Sequence, residues 1–540
     1  MQPVMSGAVP QKQTIFWLPS VFAMVVTVLL VITSFFYHIK ADDIWWHLKA
    51  GEFILENLHL PEQNIFSFTA PEHRWLPHEW LSEVFFYLAY SWLGYRGLIL
   101  LGVLLNALAC ALVYRLTLRY SGSPFASALI TFIAALMMLG NFSLRPYLFG
   151  NLFFICALHA MEEPTAGGRL RPALIFVLFA AWANFHGSFL IGLALILLYL
   201  AAAVSERLLD RRRWSAGQSL WQAIGAAGRP AALDFASALV ACVVTPNHVF
   251  GLIFPLLYIK LAFSREVTYL TNISEWQPAD LSSPLGQMIV FYLLFCGFAI
   301  VGSRKSPRAV HIGLLSAFAF FAFSSIRNIP LLGIAATPIM ARHLPPTFSR
   351  FWSTALARVG LRERLENWHR ATVELNRRSS DWTLPALTAL VLALIFALPP
   401  SWKISYPVLS GVHRLADLSP DFYPAPLLDE LDRLASGKRV FHFFNWGGAI
   451  IWGLYPRQRV FIDQRNDCYP PEVFRDYFAV HNLELDWSEV LDRWRIDFVA
   501  YPAGSRLSQA LAESESWNLV WRDEKNLLFE RRPRSAVSGR

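Results

Sequence analysis

Charge is scarce in this chain: only 16% of its 540 residues are Asp, Glu, Lys or Arg, against 55% hydrophobic. An average soluble domain carries about 25% charged residues. The composition therefore excludes a wholly soluble protein and favours a polytopic membrane protein with one extra domain. Cysteine is scarce too, with five in all. Cys110, Cys156, Cys242 and Cys296 fall in apolar runs, where they read as small apolar residues. Cys468 stands alone in the C-terminal region, which rules out an internal disulfide there. No CxxC occurs to hold zinc or run redox chemistry. No nucleic-acid-binding motif accompanies the net charge of +8, so nucleic acid is not an expected partner. Internal repeats and low-complexity tracts are also missing.

What is present is a series of apolar runs. We read roughly eleven membrane segments from them by bilayer-spanning length. They are 15–37, 97–114, 125–139, 149–161, 172–183, 188–204, 231–244, 285–301, 310–323, 329–341 and 384–398. Basic residues such as Arg115, Arg119, Arg207, Arg304, Lys305 and Arg308 fall in alternate loops. The positive-inside rule then places the N-terminus in the cytoplasm and the C-terminal region outside. The first run is too long for a signal-peptide core and reads as an uncleaved anchor. A further apolar stretch, 249–263, would invert every later segment if it crossed, so it reads as a re-entrant or surface-lying helix. The expected fold is an α-helical polytopic membrane protein ending in a soluble α/β domain. Its expected parts are a membrane domain, 1–398, with a large first outer loop, 38–96; a linker, 399–426; and an extracytoplasmic α/β domain, 427–540. Within the last part we expect helices at 427–435 and 471–481 and strands at 439–443, 459–462 and 498–501. A hairpin is expected from 518 to 531.

Polar groups gather on the outer side, where they are costly to keep without a use. Asp42 and Asp43 close the first run and precede Trp45-Trp46-His47. A carboxylate here can take a proton from an acceptor hydroxyl or hold a hard cation such as Mg or Mn. The plainer reading is a solvated helix end with the tryptophans as an interfacial belt. His78-Glu79 offers a second acid/base or an orienting partner, or else the first turn of a surface helix. Arg145 and Arg327-Asn328 lie in very short outer loops, against the charge bias. Guanidinium binds phosphate in a bidentate manner; lipid headgroup contact is the alternative. Asn184, His186, Glu275 and Trp276 are weaker candidates, each readable as a structural hydrogen-bonding group. In the C-terminal region Trp446 with Gly447-Gly448, and Asp463 with Arg465, stand out. Asp463 is expected at a strand's C-terminal end, the edge at which α/β sheets bind ligands. A turn rich in capping residues is the alternative.

These elements together resemble a bacterial family of membrane glycosyltransferases of the GT-C type. The elements are Asp43-Ile44-Trp45-Trp46-His47-Leu48, Phe66-Ser67-Phe68-Thr69, His78-Glu79-Trp80-Leu81 and Arg145-Pro146. Asn184-Phe185-His186-Gly187, Glu275-Trp276, Arg327-Asn328 and the stretch from Trp446 to Asp467 complete them. The resemblance covers most of the chain. It implies residence in the bacterial inner membrane and an active site facing outward. It also implies a sugar donor on a polyprenyl phosphate and an acid in the first outer loop, matched by Asp42 or Asp43. More distantly, the plan is similar to the catalytic subunit of oligosaccharyltransferases, which also ends in a soluble domain with a tryptophan- and glycine-bearing motif. Two departures stand out. The loop 140–148 has no acid where that family carries metal-binding acids, and Asn445-Trp446-Gly447-Gly448 lacks the aspartate of its acceptor motif. The expected activity is transfer of a sugar, with inversion, to a glycan, lipid or protein acceptor. Asp43 would act as base or metal ligand, supported by Glu79 or His78, with Arg145 and Arg327 on the phosphate. A lipid-linked glycan flippase and a non-catalytic assembly subunit are the alternatives.

Overall fold

The computed structural model describes residues 43–138, 143–163, 170–209, 219–264, 274–357 and 423–533. The predicted segments 15–37 and 384–398, Asp42 and most of the linker 399–426 lie outside the described residues.

Helices form where the apolar runs predict them, and run somewhat longer. Tyr95–Ser121 replaces 97–114 and Phe189–Leu209 replaces 188–204. The first of these is bracketed by Gly94 and Gly122, both at φ +60°, a backbone region in which a side chain is strained. Among the described residues, three helices are long and apolar enough to cross a membrane by length and composition: Tyr95–Ser121, Phe189–Leu209 and Pro284–Ser303. Shorter apolar helices such as Tyr147–Glu162, Arg171–Phe185 and Ala309–Ser324 stand at other expected positions, so the described helices do not establish a count of eleven. The segment expected at 329–341 is divided into Ile329–Ala335 and Thr337–Ala357. The stretch 249–263 is a helix, His248–Ser264.

Ionic clusters mark the two ends of this bundle. At the end rich in basic residues, the fully buried Glu162 carboxylate receives Arg308 at 2.7 Å and meets His311 at 3.1 Å. Tyr120 and Tyr199 also donate hydroxyl hydrogen bonds to it. A buried charge persists only with such partners. The opposite end carries the candidate site.

The stretch expected as the first outer loop carries two helices, Ile44–Asn57 and Trp80–Leu93, packed against each other. Their close crossing needs Gly51, where a Cβ would lie 2.2 Å from the Glu83 carbonyl oxygen. Trp45 and Trp46 do not form an interfacial belt. Trp45 is fully buried within protein, against Tyr423 at 4.9 Å and Tyr95 at 5.8 Å between ring centroids. A side chain of this size removes about 150–250 Å² from water. That is roughly 4–6 kcal/mol before ordering costs, which makes burial in protein the stronger pull.

The C-terminal region builds a four-stranded sheet in the order β1-β2-β4-β3. The strands are β1, Val440–His442; β2, Phe498–Pro502; β3, Trp517–Arg522; and β4, Asn526–Arg531. β1 and β2 are parallel, with Val440 opposite Phe498, as expected of strands joined by a helical crossover. β2–β4 and β3–β4 are antiparallel. The predicted hairpin turn is present, and the Asp523 carboxylate accepts the Lys525 and Asn526 backbone N–H groups at 2.8 and 2.6 Å. One expectation fails. Residues 459–462 are not a strand of this sheet. Val460 instead donates to the Phe66 carbonyl at 3.0 Å and accepts from the Phe68 N–H at 3.1 Å, in a parallel bridge to the segment between those two helices. Thr69 Oγ1 adds a bond to the Phe461 carbonyl at 2.6 Å. The Phe66-Ser67-Phe68-Thr69 motif is thus a docking strip. Ile44, Trp45, Phe66 and Trp75 share one continuous hydrophobic core with Trp446, Ile450, Phe461 and Tyr469.

Candidate active site

The site is assembled from loops far apart in sequence. Asp43 stands just before the helix Ile44–Asn57, Arg145 just before Tyr147–Glu162, and Glu275 in the short turn Ser274–Trp276. Arg145 joins the other two. Its Nε and Nη2 lie 3.1 and 3.2 Å from the two Asp43 carboxylate oxygens, and its Nη1 donates to Glu275 Oε2 at 2.8 Å. The Nη2 and Nη1 hydrogen bonds, one to each acid, are charge-assisted and fix orientation as well as charge. The turn holding Glu275 is tied to the turn Ile326–Asn328. Ser325 Oγ donates to the Glu275 carbonyl at 2.9 Å, and the Ile326 N–H to the Gln277 carbonyl at 3.1 Å. That tie places the Arg327 guanidinium over the Trp276 ring, 4.3 Å from its centroid.

Burial pushes the Asp43 carboxyl above its ordinary range, although the side chain keeps 23% of its surface exposed. Arg145 opposes that push, Glu275 adds to it, and Arg327 opposes it from further away. Asp43 is thereby held as a carboxylate more basic than usual, beside a guanidinium that orients it.

A second pair sits alongside. His186 Nε2 lies 3.2 Å from Glu79 Oε1, and His78 Nε2 lies 3.8 Å from the same oxygen. The Ser188 backbone N–H donates to His186 Nδ1 at 3.1 Å, so the ring proton belongs on Nε2, directed at Glu79. Burial lowers the His186 imidazole well below its usual value, with Arg327 and His78 lowering it further. Burial raises the Glu79 carboxyl, against His78 and Arg327. A neutral imidazole therefore orients a carboxylate of raised basicity.

Sequence reasoning gave no individual role to the residues beneath this pair. Glu83, one helical turn on from Glu79, meets His47 Nδ1 at 3.3 Å, and both side chains are about 2% exposed. Burial raises Glu83 well above and lowers His47 well below their ordinary values, so burial favours the neutral form of each. Asp467 is a further carboxyl at the site, supplied by the C-terminal region. Burial raises it, and His78 is the main opposing charge. The spacing Glu79–Glu83 on one helix face and the acid closing the Arg459–Asp467 run were the available signals.

Other predicted residues serve as joints. Asn184 Oδ1 accepts from the Trp80 indole at 2.9 Å, and its amide nitrogen donates to the Ala180 and Val244 carbonyls, both at 2.8 Å. Asn328 donates to the Phe321 carbonyl at 3.1 Å, closing its turn. Asp463 and Arg465 form a fully buried pair, at 2.8 Å from Nε and 2.6 Å from Nη2. Arg465 Nη2 also reaches Asn64 Oδ1 at 2.7 Å in the segment between Ile44–Asn57 and Trp80–Leu93, and its guanidinium lies 4.5 and 4.8 Å from the Trp75 and Phe66 ring centroids. Asp463 is thus part of a lock and does not end a strand. Trp446 is buried against Phe443. Gly447 lets the chain pass the Ile462–Asp463 backbone, where a Cβ would come within 2.5 Å of the Ile462 carbonyl oxygen. The tryptophan–glycine motif therefore supports the segment that carries the lock.

No family model matches the chain, and no curated protein matches it in sequence. Solved structures do match it. The archaeal oligosaccharyltransferase AglB from Archaeoglobus fulgidus, in complex with an inhibitory peptide and a dolichol-phosphate, aligns with a TM-score of 0.51 at 14% identity. The match covers 89% of this chain and 69% of that one. The Archaeoglobus fulgidus oligosaccharyltransferase tethered to an acceptor peptide with the NVT sequon aligns with a TM-score of 0.49 at 12% identity, over the same shares of the two chains. The first likeness shows a shared fold: a mostly helical chain with a C-terminal sheet domain, built on the plan of an oligosaccharyltransferase catalytic subunit. The expectation of a distant similarity in plan to that subunit therefore holds.

A resident divalent cation, which the resemblance brings into question, has a direct test here. Two carboxylates, Asp43 and Glu275, are available where the loops meet, and both already hold Arg145. Among the described residues no group of three or more His, Cys, Asp or Glu side chains is arranged to hold a metal. Mg keeps several waters and is commonly held by only one or two protein carboxylates, so the obstacle to an ion here is Arg145, which already occupies both described carboxylates.

Proposed function

We propose that this protein is an inverting membrane glycosyltransferase. It moves a sugar from a polyprenyl-phosphate carrier to an acceptor outside the cytoplasm of a bacterial cell. The observation that carries the reading is the Asp43–Arg145–Glu275 constellation, in which one guanidinium joins carboxylates from two other loops at one end of the helix bundle. A basic carboxylate and a fixed cation, side by side, are what this transfer needs. The acceptor oxygen or nitrogen attacks the anomeric carbon from the face opposite the phosphate. The bond from that carbon to the phosphate oxygen breaks, and its electron pair leaves with the phosphate. Asp43 takes the acceptor's proton. Arg327, stacked on Trp276, and Arg145 supply positive charge to the departing phosphate. Glu79, held by His186 and His78, and Asp467 line the acceptor side. The C-terminal domain closes over the first outer loop through the Asp463–Arg465–Asn64 lock. The glycan, lipid or protein acceptor meets the site there, and membrane lipids surround the helices.

The test is turnover of a radiolabelled polyprenyl-phosphate sugar by the purified protein in lipid nanodiscs. Release of free polyprenyl phosphate with label in an acceptor supports the reading. Movement of the label across a vesicle membrane without cleavage would identify a flippase. Absence of both would leave an assembly subunit.

A further inference from the structure

The geometry points to Arg145 as a built-in replacement for a divalent cation, so that transfer runs on a fixed guanidinium and without metal. This inference rests on the glycosyltransferase reading. The argument begins with position. Arg145 lies between the two carboxylates that the described residues bring to this junction, contacting Asp43 at 3.1 and 3.2 Å and Glu275 at 2.8 Å. An ion could reach both carboxylates only by displacing it. Charge gives the same result. Two carboxylates and one guanidinium carry a net −1. A carboxylate at position 145 together with a divalent ion would also carry −1, three negative charges against two positive. Adding a divalent ion while Arg145 stays would set two cations against each other between the same pair of acids, in a partly buried site where screening is weak.

Chemistry agrees with position. A guanidinium never loses its proton in a protein, and its planar fork matches carboxylate and phosphate oxygens. It can therefore hold Asp43 ionised against burial and still present positive charge where the leaving phosphate develops its own. A metal ion can be stripped, whereas a side chain cannot. The loop 140–148, which carries Arg145, contains no acid that could restore a cation cage.

The test uses the full-length protein and Mn2+ as the probe. Titration followed by electron paramagnetic resonance is expected to find no stoichiometric Mn2+ site in the wild type. EDTA is expected to leave both the transfer rate and the thermal midpoint unchanged. Arg145→Asp is expected to lose transfer and gain one Mn2+ site, which a second change, Asp43→Asn, removes. The inference is overturned if the wild type binds one Mn2+ that Asp43→Asn abolishes. A tenfold or greater loss of transfer in EDTA, restored by Mn2+ or Mg2+, overturns it as well. So does a folded Arg145→Asp protein that binds no Mn2+. The wild-type titration decides the matter even where the variant does not fold. It also keeps this inference separate from the functional reading, which fails only if no lipid-phosphate sugar is turned over.

Discussion

Replacing Asp463 by alanine is expected to release the C-terminal domain from the segment that carries Asn64, Phe66 and Trp75. Asp463 and Arg465 are both fully buried, and the carboxylate meets the guanidinium twice, at 2.8 and 2.6 Å. It also accepts the Arg465 backbone N–H at 2.9 Å and the Tyr469 hydroxyl. Alanine would leave a buried guanidinium with Asn64 as its remaining polar side-chain contact. Removing one partner of such a pair costs about 3–5 kcal/mol. The rings of Trp75 and Phe66 recover part of this, since a desolvated cation–π contact gives up to about 2 kcal/mol, so the lower end applies. At roughly 4 °C per kcal/mol for a domain of this size, the unfolding midpoint of the C-terminal domain should fall by about 12 °C. The assay is thermal unfolding of the full chain followed by tryptophan fluorescence. Transfer should fall in parallel, because the same segment carries Asp467 to His78. Asp463→Leu combined with Arg465→Met should retain more stability than Asp463→Ala alone, because no charge is left unpaired. A fall of less than about 3 °C for Asp463→Ala, on the same scale, would refute the claim that this pair couples the two regions.

Asp43→Asn should lower the transfer rate by about two to four orders of magnitude, the usual worth of a positioned base, and leave donor binding intact. The wild-type rate should rise with pH along an acid limb above the ordinary aspartate value of 3.8, because burial raises Asp43 and the base works deprotonated. A limb at or below that value would refute the assignment. Glu83 is raised well above 4.5 in the fold, so its contribution to stability is complete below that value and is lost as pH rises through the raised value. Glu83→Gln should therefore match the wild type in thermal midpoint at pH 4 and exceed it at pH 9; parallel curves would refute this. Arg327→Lys should weaken donor binding by roughly 5–30-fold through loss of the two-point fork and of stacking on Trp276, measured by titration with the lipid phosphate. In intact cells a cysteine at the exposed Leu485 should react with an impermeant thiol reagent, and one at the exposed Leu209 should be shielded; the reverse would invert the topology.

The sequence by itself determined the elements and their neighbourhoods. Apolar run length gave most of the described helices, because burying apolar side chains and satisfying the backbone within one segment leave few options. Two short apolar-rich runs around a turn rich in side-chain acceptors gave the β3–β4 hairpin. The conjunction of acids, histidines and arginines in loops picked out Asp43, Glu79, Arg145, His186, Glu275 and Arg327, because polar groups beside a membrane are expensive and stand out in composition. Pairing was beyond its reach. That Arg145 binds Asp43, 102 positions away, and Glu275, 130 positions away, depends on which loops meet at one end of the bundle. The segment 459–462 has the composition of a strand, and only the closeness of Phe66 and Phe68 decided that its backbone pairs with the first outer loop. Asp463 and Arg465 looked like a ligand edge, and only burial against Asn64, Trp75 and Phe66 made them a lock. Local propensity acts over a few residues, whereas charge pairing and burial depend on distance in space, and the tertiary fold alone sets that distance.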